Sequence, residues 1–428
     1  MRTIRLSVVL VTLAVSAHAE RFPFSIGQTS EVVAELRMIS PGSDWGESGR
    51  EAALADVKLD GKLEQQVMLY AGASSYPYRV FLGTVSPGDH ELVVERNEQY
   101  SARGSELQIE RVSFEPFAAG DPYYEVLAHA PVLFARKNTL GRFTDIPLVV
   151  YCEKLPDNTL QYTVIFSNED GGTSTRALMS RWGRTTDIEF AYRIQIGEDA
   201  GSGSETIQTS GHNEEAFHGE HWGSHAQLIP STDNNMFSDQ GNSPIRYQIA
   251  PVAVEVSEHS REVVMDENPI TYLVAAKELK REDKLRPFGI AAGEKVSDPR
   301  NYFYIEYRVK NVRGSVGVRV RRKTEQVEHS SAMGRPDLGI VRDGWVRTAV
   351  ELPPGTKAED LATISFDCLV APPEEKGEPM PHSGTCAIET IGKLFLLDAG
   401  YKPGPNLWKA QWRQHELHSG ESLLLTSW

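Results

Sequence analysis

Short runs that alternate apolar and polar side chains, each closed by a Gly, Pro or Asp turn, recur along most of this chain. A period of two puts successive side chains on opposite faces of an extended backbone, so such runs are read as half-buried strands. Tyr78-Arg79-Val80-Phe81-Leu82-Gly83, Gln161-Tyr162-Thr163-Val164-Ile165-Phe166-Ser167 and Asp187-Ile188-Glu189-Phe190 all show it. Ile146-Pro147-Leu148-Val149-Val150-Tyr151 is nearly all apolar, which suits a strand covered on both faces in the middle of a sheet. Helix signals are confined to residues 51–57 and 275–282, with one turn at 357–362; residues 249–256 and 270–276 read as extended. Residues 197–210, with Gly201-Ser202-Gly203-Ser204, read as a loop or hairpin tip. The expected fold is therefore all-β: a multi-domain β-sandwich with immunoglobulin-like and jelly-roll-like units.

With 428 residues the chain exceeds what one hydrophobic core serves, so several units are expected. Residues 1–19 have the pattern of a signal peptide: a basic start at Arg2 and Arg5, a short apolar run, and Ala17-His18-Ala19 as the cleavage site. The implied location is secreted or periplasmic. Residues 20–118 form an accessory sandwich and residues 119–284 a central one, with Gly120-Asp121-Pro122 at the junction. Residues 285–428, opening at Pro287-Phe288-Gly289, form a C-terminal jelly-roll-like sandwich. Past the leader no apolar run is long enough to cross a bilayer, so an integral membrane protein is not expected. A formal net charge of -15 repels phosphate backbones, which argues against nucleic acid as a partner. Of the three cysteines, Cys368 and Cys386 are placed to close a short loop in an oxidising compartment, leaving Cys152 free in a strand; three reduced cysteines are the alternative.

Side chains suited to chemistry concentrate in residues 165–239. Asn168-Glu169-Asp170-Gly171-Gly172 follows one strand, Asp187 and Glu189 share a face of another, and His212, His218, His221 and His225 precede Asn234, Asn235 and Asp239. Two carboxylates on one face are costly unless something positive sits between them. An oxygen-rich set suits calcium or magnesium, whereas the histidine spacings match no compact zinc signature. The expected ligands of a divalent cation are Asp187, Glu189, His225 and Asp239, with Asp170 joining Asp187 and Glu189 as the catalytic carboxylates of a glycoside hydrolase-type site. Trp182, Arg184, Trp222, Asn234 and Asn235 are the candidate substrate-binding residues, and Tyr192 and Phe237 could also stack on sugar rings. A tight turn at Asn168-Glu169-Asp170 and histidines on a loop, without any site, is the competing reading.

The heptad Gly183-Arg-Thr-Thr-Asp187-Ile-Glu189 resembles the Gly-His-Arg-His-Asp-Trp-Glu heptapeptide of the necrosis-inducing-protein-like cytolysins and the Gly-Asp-Trp-Glu region of a related plant vacuolar-sorting family. Gly183, Asp187 and Glu189 match by position; Ala130-Pro131-Val132-Leu133 and Gly223-Ser224-His225 resemble flanking segments. Arg184 and Thr186 replace both histidines and Ile188 the tryptophan, so the resemblance does not imply cytolysis. It implies a β-sandwich whose acidic pair, Asp187 and Glu189, holds a divalent ion. The function expected is recognition, extending to cleavage in the catalytic reading, of an extracellular or cell-envelope glycan. The alternative is a non-catalytic module for a lipid head group or protein partner. No serine-hydrolase elbow, phosphate-binding glycine loop or dinucleotide fingerprint occurs.

Overall fold

The computed structural model describes residues 19–197, 202–290, 293–333, 335–373 and 379–425. All but the last residue of the expected signal peptide lies outside them. The described residues are almost all β, in six mostly antiparallel sheets. Two compact units emerge, one from residues 1–172 and 186–255, the other from residues 173–185 and 256–428. The first contains the expected accessory sandwich and most of the expected central one. No helix among the described residues is long and apolar enough to cross a membrane.

In the first unit, Glu20–Ile26, Gly88–Arg96, Leu54–Leu59 and Lys62–Met68 lie side by side in that order, and Tyr76–Val85, Ser30–Ile39 and Gln108–Phe117 make a second sheet. Phe24 of one sheet stacks on Phe114 of the other at 4.0 Å, over a core that includes Val32, Leu36, Trp45, Phe81 and Val94. Residues 51–57, expected as helix, instead lead into the strand Leu54–Leu59, because Leu54, Ala55 and Val57 are all taken into that core. Backbone bonds from Phe81 N to Gln248 O (2.9 Å) and from Ala250 N to Arg79 O (3.1 Å) run from this sheet to the later part of the unit.

That later part is built on a six-stranded sheet ordered Asn213–Ala216, Ser202–Thr209, Asp187–Ile196, Thr159–Phe166, Pro147–Lys154 and Val252–Ala253. The apolar strand Pro147–Lys154 lies inside the sheet, as its composition required, and holds the buried free Cys152. Burial pushes that thiol up to about 12, so it is an inert core residue. Of the expected loop or hairpin tip at 197–210, Ser202–Thr209 is a strand paired on both sides, antiparallel to Asp187–Ile196; residues 198–201 lie outside the described residues. A smaller sheet contains Val132–Phe134 and His225–Pro230, and Phe166 meets Phe237 across the interior at 6.0 Å.

The second unit has two four-stranded sheets, Gly344–Glu351, Tyr302–Val312, Thr385–Leu396 and His415–His418 in one, Glu328–Ser330, Gly314–Arg322, Leu361–Val370 and Ser422–Leu425 in the other. Cys368 and Cys386 form a disulfide joining them, in a core with Tyr307, Val318, Ile364 and Phe366. The helix Ile270–Arg281 covers the expected 275–282 up to its C-cap Glu282 and also residues 270–276, which read as extended. Buried Thr271, Tyr272, Val274, Ala275, Glu278 and Leu279 supply the helical stripe that a window of alternation hid. The helix Thr175–Trp182 had no counterpart in the sequence reading. Ser174 caps it by accepting from Ala177 N at 3.4 Å, and Gly183 ends it in the left-handed region at φ 58°.

Candidate functional site

The polar residues of the first unit are organised around Arg136, which follows the buried strand Val132–Phe134 and has only 4% of its side chain exposed. Its guanidinium meets Asp170 at 2.8 Å, Asp145 at 3.0 Å and Asp233 at 3.2 Å, and donates to Thr232 O at 3.0 Å. Asp145 is wholly buried, whereas Asp233 has 61% of its side chain exposed. Buried charges persist only when paired and hydrogen-bonded, and Arg136 meets that need for Asp145 and Asp170 together. Phe143 and Asp145 both sit at positive φ, 43° and 52°, so the loop delivering Asp145 is held in a conformation non-glycine residues rarely adopt. Asp170 N donates back to Asp145 at 3.2 Å, and Thr144 Oγ1 and Asn168 Nδ2 each donate to Asp170 at 3.2 Å.

A polar chain runs inward from there. Asn235 Nδ2 donates to Asp187 at 3.0 Å and lies 3.4 Å from Asn168 O. Asn235 is fully buried at φ 48°, a left-handed residue of the turn before Phe237–Ser238. Asn234, with its amide turned to donate, reaches Glu169 at 2.6 Å and Gly171 O at 3.3 Å. A Cβ on Gly172 would come 2.3 Å from the Asn234 side chain, so that turn requires glycine. Among the candidates, Asp170, Asp187, Asn234 and Asn235 therefore belong to one network.

The remaining candidates make other contacts. Glu189 is buried and lies 3.6 Å from the exposed His212. His225 is buried, bonded through Nδ1 to Ala130 O at 2.9 Å and facing the buried Glu31 at 3.5 Å. Asp239 accepts from His218 N at 2.7 Å. Of the expected ligand set, His225 and Asp239 thus lie against different partners. Among the described residues, no group of three or more His, Cys, Asp or Glu is arranged to hold a metal ion. Trp222 packs on Gly83, where a Cβ would come 2.6 Å from its Cη2, and lies under Arg246 at 4.8 Å.

Trp182 and Arg184 belong to the second unit, so the heptad that begins at Gly183 ends a helix in one unit and begins a strand in the other. Arg184 Nε donates to the fully buried Glu262 at 3.3 Å. Burial alone would raise the Glu262 carboxyl, but Arg342, Arg184, Arg261 and Arg347 outweigh it and hold the group below the usual range. The Trp182 ring has Arg184 at 5.6 Å and Arg342 at 5.7 Å.

Arg136, Asp145 and Asp233 escaped the sequence reading. Arg136 sits in an unremarkable Ala-Arg-Lys run, 34 residues before its partner Asp170. The only clue was negative: crowded carboxylates demand a positive group from somewhere. The chain matches no known protein family and no curated protein.

Proposed function

We propose that the chain is an exported glycan-recognition protein, secreted or periplasmic, whose first unit binds sugar hydroxyls with a rigid rim of carboxylates and amides and does not cleave them. The observation that supports this reading best is the guanidinium of Arg136 beneath Asp170 and Asp233. It holds two partly exposed carboxylates in place at no cost when a ligand arrives, and preorganisation of this kind is what lets a small polar rim bind. Asn138 Nδ2 donates to Asp233 at 3.0 Å, so an exposed donor lies beside an exposed acceptor. Such pairs suit sugar hydroxyls, which donate and accept at once.

Cleavage finds less support. A general acid or nucleophile must reach the scissile bond, yet Asp187 is buried beneath Asn235 and Glu189 is buried as well. No resident cation enters the reading, because Arg136 supplies the charge that Asp145, Asp170 and Asp233 need. Immunoglobulin-like and jelly-roll-like topologies belong to the proposal too, since sandwiches of that kind gather binding loops at their ends. The test is a polysaccharide and oligosaccharide panel read by calorimetry on the full mature chain. Asp233→Ala and Asn138→Ala, both at exposed side chains, are expected to weaken binding about fivefold or more while leaving the melting temperature unchanged. Absence of any glycan binding, or variants that bind like the wild type, overturns the reading.

A further inference from the structure

The second unit holds an open cleft of about 360 Å³ lined by His259, Arg261, Arg308, Arg342, Gly344 and Trp345. Its guanidiniums are unusual in a chain with a formal net charge of -15. Of the lining arginines Arg308 has a carboxylate of its own, as do Arg347 and Arg184 outside the lining. Arg347 holds Asp266 at 2.9 Å, Arg184 holds Glu262 at 3.3 Å, and Arg308 holds Glu389 at 3.0 Å.

Arg342 is different. Among the described residues its guanidinium forms no ion pair, and its Nε is buried without a hydrogen-bond acceptor. A buried donor left in that state is destabilising, so the position is one that an acceptor from outside would relieve. Burial pushes this guanidinium down to about 10, against the pull of Glu262 and with the like charges of Arg261 and Arg184 adding to the fall. The backbone that carries Arg342 is fixed in advance: Asn311 Nδ2 donates to Arg342 O at 3.0 Å, Asn311 N donates to Asp343 at 2.7 Å, and Gly344 turns the chain at φ 89° into its strand.

Beside it stands Trp345, whose indole Nε1 is likewise buried without an acceptor. Its ring is propped from behind, since a Cβ on Gly392 would lie 3.0 Å from Cζ3, and His259 lies 6.0 Å from it at 34°. A guanidinium with no carboxylate in ion-pair contact, next to a half-buried indole, matches a ligand that carries an anionic group on a ring with an apolar face. The volume is at the small end for ligand clefts and suits one or two rings.

We infer that this cleft binds an acidic sugar, its carboxylate or sulfate group paired with Arg342 and its ring against Trp345. The inference rests on the glycan reading above for the sugar, and on the cleft itself for the charge. It places the contact in the second unit, separate from the Asp233 rim.

The experiment titrates the full mature chain with three probes, a tetragalacturonate, a sulfated galactose tetrasaccharide and neutral cellotetraose, using calorimetry and tryptophan fluorescence. The proteins are wild type, Arg342→Gln, Arg308→Gln and Asp233→Ala. Binding of one or both acidic probes, weakened about tenfold or more by Arg342→Gln, weakened by added salt and unmoved by Asp233→Ala, supports the inference; the preferred acidic probe says whether carboxylate or sulfate is the group. Should Arg342→Gln melt early, Arg308→Gln at the exposed side of the cleft carries the same comparison, with a smaller loss expected. Equal binding of neutral and acidic probes, or acidic binding indifferent to both arginine variants, or no acidic binding at all, overturns it. Neutral binding that depends on Asp233 alone would leave the first-unit reading standing and remove this one; acidic binding that depends on Arg342 alone would do the reverse for the rim.

Discussion

Replacing Arg136 by Met removes one guanidinium from three carboxylates, and their exposures decide what that costs. Asp233, with 61% of its side chain in solvent, returns to water at little cost, and Asp170, at 19%, loses more. Asp145 has no exposed side-chain surface, and its carboxylate would stay behind in the interior. Breaking a buried pair by deleting one partner costs about 3–5 kcal/mol. For a unit of this size each kcal/mol moves the melting temperature by about 2–4 °C, which gives a fall of roughly 6–20 °C. Scanning calorimetry of the full chain at neutral pH reads it. A second variant separates lost charge pairing from lost packing: adding Asp145→Asn to Arg136→Met removes the stranded charge and should recover part of the deficit, as a double-mutant cycle reports. A loss below about 1 kcal/mol, or no recovery in the double variant, would refute the claim that Arg136 organises this centre.

Further outcomes follow from single features. Gly183→Ala should cost about 1–2 kcal/mol by denaturant titration, because φ is 58° and a Cβ there would lie 3.0 Å from Arg347 Cγ; an unchanged midpoint would count against this helix end. Substituting both Cys368 and Cys386 by Ala should lower stability by about 2–5 kcal/mol, as the loss of a cross-link closing a short loop does, and reductant should then leave the variant unaffected while destabilising the wild type. The folded pKa of Glu262 lies below its unfolded value, since burial, which raises it, is outweighed by Arg342, Arg184, Arg261 and Arg347. Its contribution is therefore present above the ordinary glutamate range and is lost as pH falls through the depressed folded value. Glu262→Gln should flatten that acid limb in a melting-temperature profile, and an unchanged limb would show that the charge balance around Glu262 is misread.

Strands were legible where alternation or continuous burial marked them. Pro147–Lys154 is all apolar up to Cys152, and the strand Gln161 belongs to alternates, so both stand out in the sequence. The helix Thr175–Trp182 was not, because eight residues with Arg176, Ser180 and Arg181 among them give too short a stripe. Residues 270–276 misled for a related reason: Ile270, Tyr272 and Val274 alternate on paper, and only tertiary burial of Thr271 and Ala275 reveals the helix.

Half of the site was readable and half was not, for one physical cause. Composition shows where carboxylates crowd, and Asp170, Asp187, Asn234 and Asn235 do share a network. It does not show which distant cation neutralises them. Arg136 comes from a separate strand end and meets Asp145, Asp170 and Asp233, whereas the metal ion was expected on Asp187 and Glu189. His225 shows the converse, since a histidine in a polar run turned out to be a core residue bonded to Ala130 O and facing Glu31.

The most direct test of recognition without cleavage is to follow one bound oligosaccharide by calorimetry and by reducing-end release in the same sample. The account predicts saturable binding of a neutral oligosaccharide, weakened about fivefold or more by Asp233→Ala, and no product above the buffer control over a long incubation. Release of product by the wild type that disappears with Asp187→Ala and Glu189→Ala would contradict it.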